Sequence, residues 1–290
     1  MKNFAGRLSL FGLFFIVFFI LINFIFLGTI ALTDWDFKKR LESIKFENPD
    51  FELLVLGDSY AEYGIDTELL TSWGIKSYNL ALVGNSVRSS YVQLKEYLER
   101  YPVKPYYVIL AVNSYVDQFD DGVRIEPIVE FTLDDHIPDA KDVPISKFRW
   151  LGVEILKKII SSKHRTARLS YGQIKWGKNT PDDTRFHDIY INIQKYESSN
   201  WIGEIAKICH LTGIKLIIVD IPGMRETQNL SEIGPYTLSF NNGYSGVLYN
   251  YNSYEFSSVF DADKDWIGQS HLNEIGAVKF TTELKKIIQK

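Results

Sequence analysis

Residues 51–60 read FELLVLGDSY, an apolar run followed by a glycine, an aspartate and a serine. The apolar part, Leu53 to Leu56, is typical of a strand buried on both faces of a parallel sheet. Ligands of open parallel sheets bind at the carboxyl ends of the strands. The sequence therefore predicts that Ser59 lies at that edge, next to backbone N–H groups that can face a developing negative charge, and makes it a candidate nucleophile.

A structural role for the same tripeptide is the alternative. Asp58 and Ser59 are both residue types that cap helices well, so they can simply start the next helix. Short motifs of this kind do not separate the two interpretations alone.

Strand-like and helix-like segments alternate along the rest of the chain. Three more apolar runs predict strands at residues 77–83, 107–112 and 214–221. Helices are expected to start near Ser86 and Asn200, and a last amphipathic helix follows Asn273. Strand followed by helix, repeated, predicts a layered α/β domain.

Two regions depart from this alternation. Residues 117–199 are too long for a simple loop, and we expect an insertion that carries a helix at 151–160 and lies near the mouth of the site. Residues 227–258 are rich in Asn, Gly, Ser and Tyr and are expected to be irregular. The domain as a whole is expected to span residues 51–290.

The amino terminus indicates a membrane. Residues 8–32 carry no charge and are dominated by Phe, Ile and Leu, which is long enough for a transmembrane helix. A cleaved signal peptide is the alternative, with small residues at Thr29 and Ala31, although its apolar core normally ends after about 7 to 15 residues. We expect a tail at 1–7, one span at 8–32 and a juxtamembrane stalk at 33–50.

The positive charges on the two sides of this span are nearly equal in number, so they do not by themselves decide its orientation. A short amino-terminal tail without acidic residues usually stays in the cytoplasm. We therefore expect a single-pass protein of the bacterial cytoplasmic membrane, with its domain on the extracytoplasmic side. A composition rich in Lys, Asn, Ile, Phe and Tyr agrees with a bacterial source.

Composition also excludes several classes of partner. The formal net charge is −4 and there is no block of Lys or Arg, which argues against nucleic acid. The single Cys209 forms no internal disulfide and builds no thiolate metal site. We expect no metal ion and no organic cofactor. The remaining histidines lack metal-ligand spacing and are expected to have surface or structural roles: His136, His164, His187 and His210.

Other polar residues follow the remaining strands. Gly84 and Asn113 come after the second and third strands, where a backbone N–H and an amide can serve an oxyanion, although a turn glycine and a cap are the simpler roles. His271 precedes the last helix, and a neutral imidazole within reach of Ser59 would be its base. Arg225, past the fourth strand, is either a ligand for an anionic sugar group or a surface residue.

This set of residues, in this chain order, resembles the SGNH family, also called GDSL-type hydrolases. The family includes esterases, lipases and polysaccharide O-acetyltransferases. Gly57-Asp58-Ser59 matches its first block, Gly84 its second, Asn113 its third and His271 its fifth. The sequences around the first and last blocks are similar to a membrane-anchored bacterial branch associated with cell-surface glycans.

The resemblance implies a fold and a set of roles. The fold would be a three-layer, flavodoxin-like parallel sheet of the SGNH hydrolase type, preceded by one transmembrane helix. Ser59 would be the nucleophile and His271 the general base. The N–H groups of Ser59 and Gly84 and the side chain of Asn113 would form the oxyanion hole.

Two positions depart from the family pattern. An aspartate normally lies three residues before the histidine, and Gly268 stands there. Asp265, Asp263 or a backbone carbonyl would then have to orient the imidazole. The third block reads Ala111-Val112-Asn113-Ser114, where the family typically has a glycine and an Asn-Asp pair.

These features predict a membrane-anchored esterase or O-acyltransferase. It would act on an acylated glycan or other ester of envelope or exported polysaccharide through an acyl-serine, with a membrane acyltransferase as a partner that delivers acetyl groups. Hydrolysis and transfer share every residue until the acceptor arrives. One alternative is a catalytically inactive scaffold or glycan-binding subunit of a polysaccharide assembly complex, and another is a lipase acting on membrane lipids.

Overall fold

The structure is a computed structural model that describes residues 2–32, 49–113, 168–175, 187–227, 229–268 and 271–289. The helices are α1 (Lys2–Leu32), α2 (Ser59–Gly64), α3 (Thr67–Ser72), α4 (Val87–Arg100), α5 (Ile193–Ser198), α6 (Asn200–Leu211), α7 (Tyr254–Ser257) and α8 (Glu274–Ile288). The strands are β1 (Leu53–Leu56), β2 (Ser77–Asn79), β3 (Tyr107–Val112), β4 (Arg168–Ser170), β5 (Gln173–Lys175), β6 (His187–Ile189), β7 (Lys215–Asp220), β8 (Arg225–Thr227), β9 (Tyr236–Ser239), β10 (Ser245–Asn250), β11 (Trp266–Ile267) and β12 (His271–Leu272).

A six-stranded sheet organises the domain, in the order β2-β1-β3-β7-β10-β9. The first five strands in that order are parallel, and β9 runs antiparallel to β10 at the edge. Counted along the chain, the parallel strands follow the order 2-1-3-4-5 of doubly wound sheets, which reverses direction between β1 and β3. The prediction of an α/β protein with a mostly parallel sheet is confirmed.

Helices cover both faces of the sheet. Alternate strand residues such as Leu54 and Leu110 join one apolar cluster with Leu94 of α4. Their neighbours, such as Val55, join a second cluster with Phe280 of α8. Each fully buried aliphatic or aromatic side chain contributes roughly 1.5–3 kcal/mol relative to an exposed one. Burial on both sides explains why the strand sequences are continuously apolar.

The sheet differs from the sequence prediction at its two edges. The ladder of β2 ends at Asn79, and the chain beyond it still bonds to β1 through Leu80 N–H to Val55 O at 2.8 Å. Residues 227–258 were expected to be irregular, but they contain β9 and β10. That expectation was wrong. Strand β10 reads SGVLYN and has alternate residues buried, but small and polar residues among them make this alternation difficult to recognise in the sequence.

Helix α1 begins at Lys2, before the predicted boundary at residue 8. Its section Gly6–Phe26 is long and apolar enough to cross a membrane, a criterion that a signal sequence near the amino terminus also meets. The predicted stalk falls almost entirely outside the described residues, and so does the predicted helix at 151–160. The described part of the predicted insertion comprises β4 to β6 and α5.

Candidate active site

Ser59 is the first residue of α2, and the residue before it caps that helix. The Asp58 carboxylate accepts a hydrogen bond from Tyr60 N–H at 2.9 Å, which satisfies one of the free N–H groups of the first turn. The capping role therefore belongs to Asp58. The Ser59 hydroxyl faces a different partner.

Gly57 makes the sharp exit from β1 possible. Its φ angle is +148°, and a Cβ at this position would lie 2.7 Å from the carbonyl oxygen of Ala111 and 3.0 Å from the Ala61 side chain. Only a residue without a side chain permits this approach of β1, α2 and β3. The turn brings Ser59 to the carboxyl edge of the sheet, as the sequence predicts.

His271 comes to the same place from the far end of the chain. It opens β12, which pairs antiparallel with β11, and Asn273 then caps α8 by accepting from the N–H groups of Ile275 and Gly276. The Nε2 atom of His271 lies 2.8 Å from the Ser59 Oγ atom. This is the hydrogen-bond distance that a serine nucleophile and its base require. The two residues are 212 positions apart in sequence.

Two tyrosine rings of α2 lie against the imidazole of His271. The Tyr60 ring is tilted at 32° with a centroid distance of 4.7 Å. The Tyr63 ring lies nearly perpendicular to the imidazole, at 81° and 5.2 Å. Sequence reasoning missed both residues, although Tyr63 lies four positions after Ser59 and therefore on the same side of a helix.

A small pocket opens beside the serine at the point where the sheet order reverses. Asp58, Asn85 and Asn113 are among the residues that line it. Asn113 ends β3 and is almost completely buried. Gly84 lies on the turn just before Asn85, is exposed and has a φ of +71°. The predicted oxyanion residues thus lie at or next to the same pocket.

Asn85 is a second feature that sequence reasoning missed. Its buried amide donates to the carbonyl of Gly57 at 3.1 Å, to the Ser90 hydroxyl at 3.1 Å and to Gln93 Oε1 at 2.9 Å. The Gln93 amide in turn donates to the carbonyl of Leu80 at 2.9 Å. The network ties the first turn of α4 to the ends of β1 and β2. Its partners Ser90 and Gln93 form a polar face on α4, and this face was the sequence signal that could have indicated the network.

The two aspartates near His271 differ in their surroundings. The Asp265 carboxylate accepts from Asp261 N–H at 2.7 Å and forms an ion pair with Lys279 at 2.6 Å. Asp263 is exposed. Gly268 has a φ of +61°, a conformation that favours glycine and explains its presence three residues before His271. The structure therefore brings Ser59 and His271 together, and it pairs the Asp265 side chain with Lys279 of α8.

The hairpin of β4 and β5 contacts α2, which begins at Ser59, and the start of α3. Gln173 donates its amide to the Tyr63 carbonyl at 3.1 Å. Lys175 lies 3.0 Å from Asp66, which is almost fully buried, and 2.7 Å from Glu68. Burial opposes the charged form of Lys175, but the hydrogen bonds with Glu68 and Asp66 outweigh it, so the pKa of this lysine is raised.

The remaining predicted residues lie apart from this cluster or carry no described contact. Arg225 opens β8, whose backbone pairs with β6 at His187. The His210 ring contacts Tyr244 at a centroid distance of 5.3 Å. His136 and His164 lie outside the described residues. Cys209 is buried, and this burial raises the pKa of its thiol to about 12. Within the described part of the chain, no group of three or more His, Cys, Asp or Glu side chains is arranged to hold a metal ion.

Comparison with models of known protein families gives no match for this chain, and comparison with curated proteins gives none either.

Proposed function

We propose that this protein is a membrane-anchored serine acyl-ester enzyme of the SGNH type. The observation that carries the proposal is the 2.8 Å contact between Ser59 Oγ and His271 Nε2. Two residues so distant in sequence, joined at the carboxyl edge of a parallel sheet, form the nucleophile and base of an acyl-transfer site.

The reaction follows from this pair. As the Ser59 oxygen attacks the ester carbonyl, its proton passes to His271 Nε2. The tetrahedral intermediate then breaks its bond to the alcohol oxygen, which takes the proton from His271 and leaves an acyl-Ser59. Water or a sugar hydroxyl then gives its proton to His271 and attacks the acyl carbon. The second tetrahedral intermediate breaks its bond to Ser59 Oγ, which takes the proton back from His271, and the acid or the new ester leaves.

The oxyanion of the intermediate needs donors that are already in place. The N–H groups of Ser59 and Gly84 and the amide of Asn113 are our candidates, in line with the SGNH resemblance. Burial of Asn113 and its place in the pocket beside Asp58 support this assignment.

The substrate class follows from the resemblance and the apolar helix α1. A tethered enzyme works on surface-bound molecules, so we propose O-acyl groups of envelope or exported polysaccharide as substrates, on the extracytoplasmic face of a bacterial membrane. A membrane acyltransferase would supply acetyl groups in the transfer reaction. No cofactor takes part in the proposed chemistry.

Release of a chromophore from an activated acetyl ester tests the proposal. The full chain in detergent should catalyse the release, and Ser59→Ala should lose about three orders of magnitude in kcat. Ser72→Ala, which changes an exposed serine of α3, is the matched control and should keep the wild-type rate. Equal rates for wild type and Ser59→Ala would refute the enzyme proposal.

One observation favours a second candidate, an inactive scaffold or glycan-binding subunit. Gly268 replaces the family's aspartate, and the Asp265 carboxylate is bonded to Asp261 N–H and Lys279. In this case Ser59→Ala would leave polysaccharide acetylation in the cell unchanged, whereas deletion of the gene would abolish it. Loss of acetylation in both strains would favour the enzyme.

A further inference from the structure

The imidazole of His271 lies between two tyrosine rings that belong to the helix carrying Ser59. The Tyr60 ring is tilted by 32° against it at 4.7 Å, and the Tyr63 ring lies nearly perpendicular to it at 5.2 Å. Both distances fall within the range of about 4.5–7 Å in which aromatic rings attract one another. Both tyrosines are half-buried, so their rings are packed while the site stays open.

Such rings affect the two protonation states of an imidazole differently. The face of an aromatic ring carries partial negative charge and attracts a cation more strongly than a neutral group. His271 becomes a cation at the moment when it takes the serine proton. Contact with two rings also restricts rotation of the imidazole about its side-chain bonds, which keeps Nε2 directed at the Ser59 hydroxyl.

We propose that Tyr60 and Tyr63 are positioning residues, whose rings hold the His271 imidazole against Ser59, and that the face of the Tyr60 ring also stabilises the protonated imidazole. The catalytic consequence rests on the proposed function, but the effect on His271 itself does not. In a serine triad a carboxylate orients the histidine and steadies its charge. In this site two aromatic rings on the nucleophile's own helix contribute to these tasks.

Other ionisable groups lie on the elements around β12. They lie before or within α2, in the segment before β11 and on α8: Asp58, Glu62, Asp261, Asp263, Lys264, Asp265, Glu274, Lys279, Glu283, Lys285 and Lys286. All of them remain in place when a tyrosine ring is exchanged. A difference in the His271 pKa between ring variants therefore reports the rings.

Histidine titration by NMR tests the proposal directly. The full chain, labelled with ¹³C at its five histidines, is titrated in detergent micelles, and the His271 resonance is assigned by its loss in His271→Gln. Tyr60→Leu should lower the His271 pKa by about half a unit to one unit, because it removes a ring face that favours the cation. Tyr63→Leu removes packing rather than a ring face shown to meet the imidazole, so its effect is expected in the labelling rate of Ser59. Tyr60→Phe and Tyr63→Phe keep the ring and should keep the wild-type pKa.

A matched control lies on the opposite face of the sheet. Tyr91 of α4 is also half-buried and packs its ring against Trp201 at 5.3 Å. Tyr91→Leu removes an aromatic contact of similar size without touching His271, and it should leave the His271 pKa unchanged. An unchanged His271 pKa in Tyr60→Leu, or an equal decrease in Tyr60→Phe, would overturn the proposal.

The wild-type protein supplies a test that needs no variant to fold. Nuclear Overhauser effects should connect the His271 ring protons with those of both tyrosines, and their absence would overturn the proposed packing. The pH profile of Ser59 labelling by a fluorophosphonate gives the catalytic consequence: each leucine variant should react about two- to fivefold more slowly, with rescue by phenylalanine. If the wild type is not labelled at all, the function fails while the titration still decides the ring effect.

Discussion

Asp58 and Ser59, two neighbouring residues, have different roles at the start of α2. The sequence allowed Asp58 and Ser59 either to cap a helix or to carry chemistry. In the structure Asp58 takes the cap, through its bond from Tyr60 N–H, and the Ser59 hydroxyl pairs with His271. A carboxylate at the cap thus releases the adjacent hydroxyl for another partner.

Asn113 permits a test of the oxyanion hole at the same scale. Its replacement by alanine removes one proposed donor while the Ser59–His271 pair remains. We expect Asn113→Ala to lower kcat for an activated acetyl ester by about 10²- to 10³-fold with little change in KM, because the donor acts on charge that develops in the transition state. An unchanged kcat in a variant with native circular dichroism would remove Asn113 from the oxyanion hole.

At the scale of elements, the β4–β5 hairpin is joined to α3 by an ion pair with little exposure. Lys175→Met would leave Asp66 buried without its cation, since the Asp66 side chain is only 3 % exposed. We expect a loss of about 3 kcal/mol in the free energy of unfolding at pH 7, measured by chemical denaturation of the full chain in detergent. Lys207→Met, which alters an exposed helical pair, should cost well under 1 kcal/mol.

The pH dependence of this stability has a definite sign. The pKa of Lys175 is raised in the folded protein above its ordinary value of 10.5. Its contribution is therefore complete below about pH 10 and is lost as the pH rises through the folded pKa. The difference in unfolding free energy between wild type and Lys175→Met should shrink above pH 10.5. A difference that stays constant to pH 12 would contradict the assigned ion pair.

Prediction from sequence succeeded where burial on two faces leaves a strong apolar signal. The strand at 107–112 and the helices capped near Ser86 and Asn273 match the structure closely. Strand β10 was missed because its buried positions include the small Gly246 and the polar Asn250, which interrupt the apolar signal. Element type therefore follows from pattern in the centre of the sheet and much less at its edge.

Some residues of the site could likewise be predicted from the sequence, and others could not. Ser59 and Asn113 could be found because the carboxyl ends of parallel strands gather in one crevice. His271 could be found from its place just before the last helix and from the resemblance to the SGNH family. The rings of Tyr60 and Tyr63 could not, because their contacts with His271 depend on where the chain returns after more than 200 residues. Local pattern contains no information about that return.

For the whole molecule, retention or cleavage of α1 distinguishes a membrane anchor from a signal peptide. We predict that the intact mass of the protein purified from membranes includes the segment 6–26, and that alkaline carbonate leaves it in the membrane fraction. The length and apolar character of this segment suit a stable span. A mature amino terminus that begins after residue 31 would instead show cleavage and a released domain.

The most direct test of the central claim is covalent labelling of the full chain by a fluorophosphonate, followed by peptide mass spectrometry. A serine activated by His271 should be modified, with the adduct on the peptide that contains Ser59. Labelling should vanish in Ser59→Ala and fall by about three orders of magnitude in His271→Gln. Absence of label on folded wild-type protein, or a label that persists in Ser59→Ala, would contradict the account.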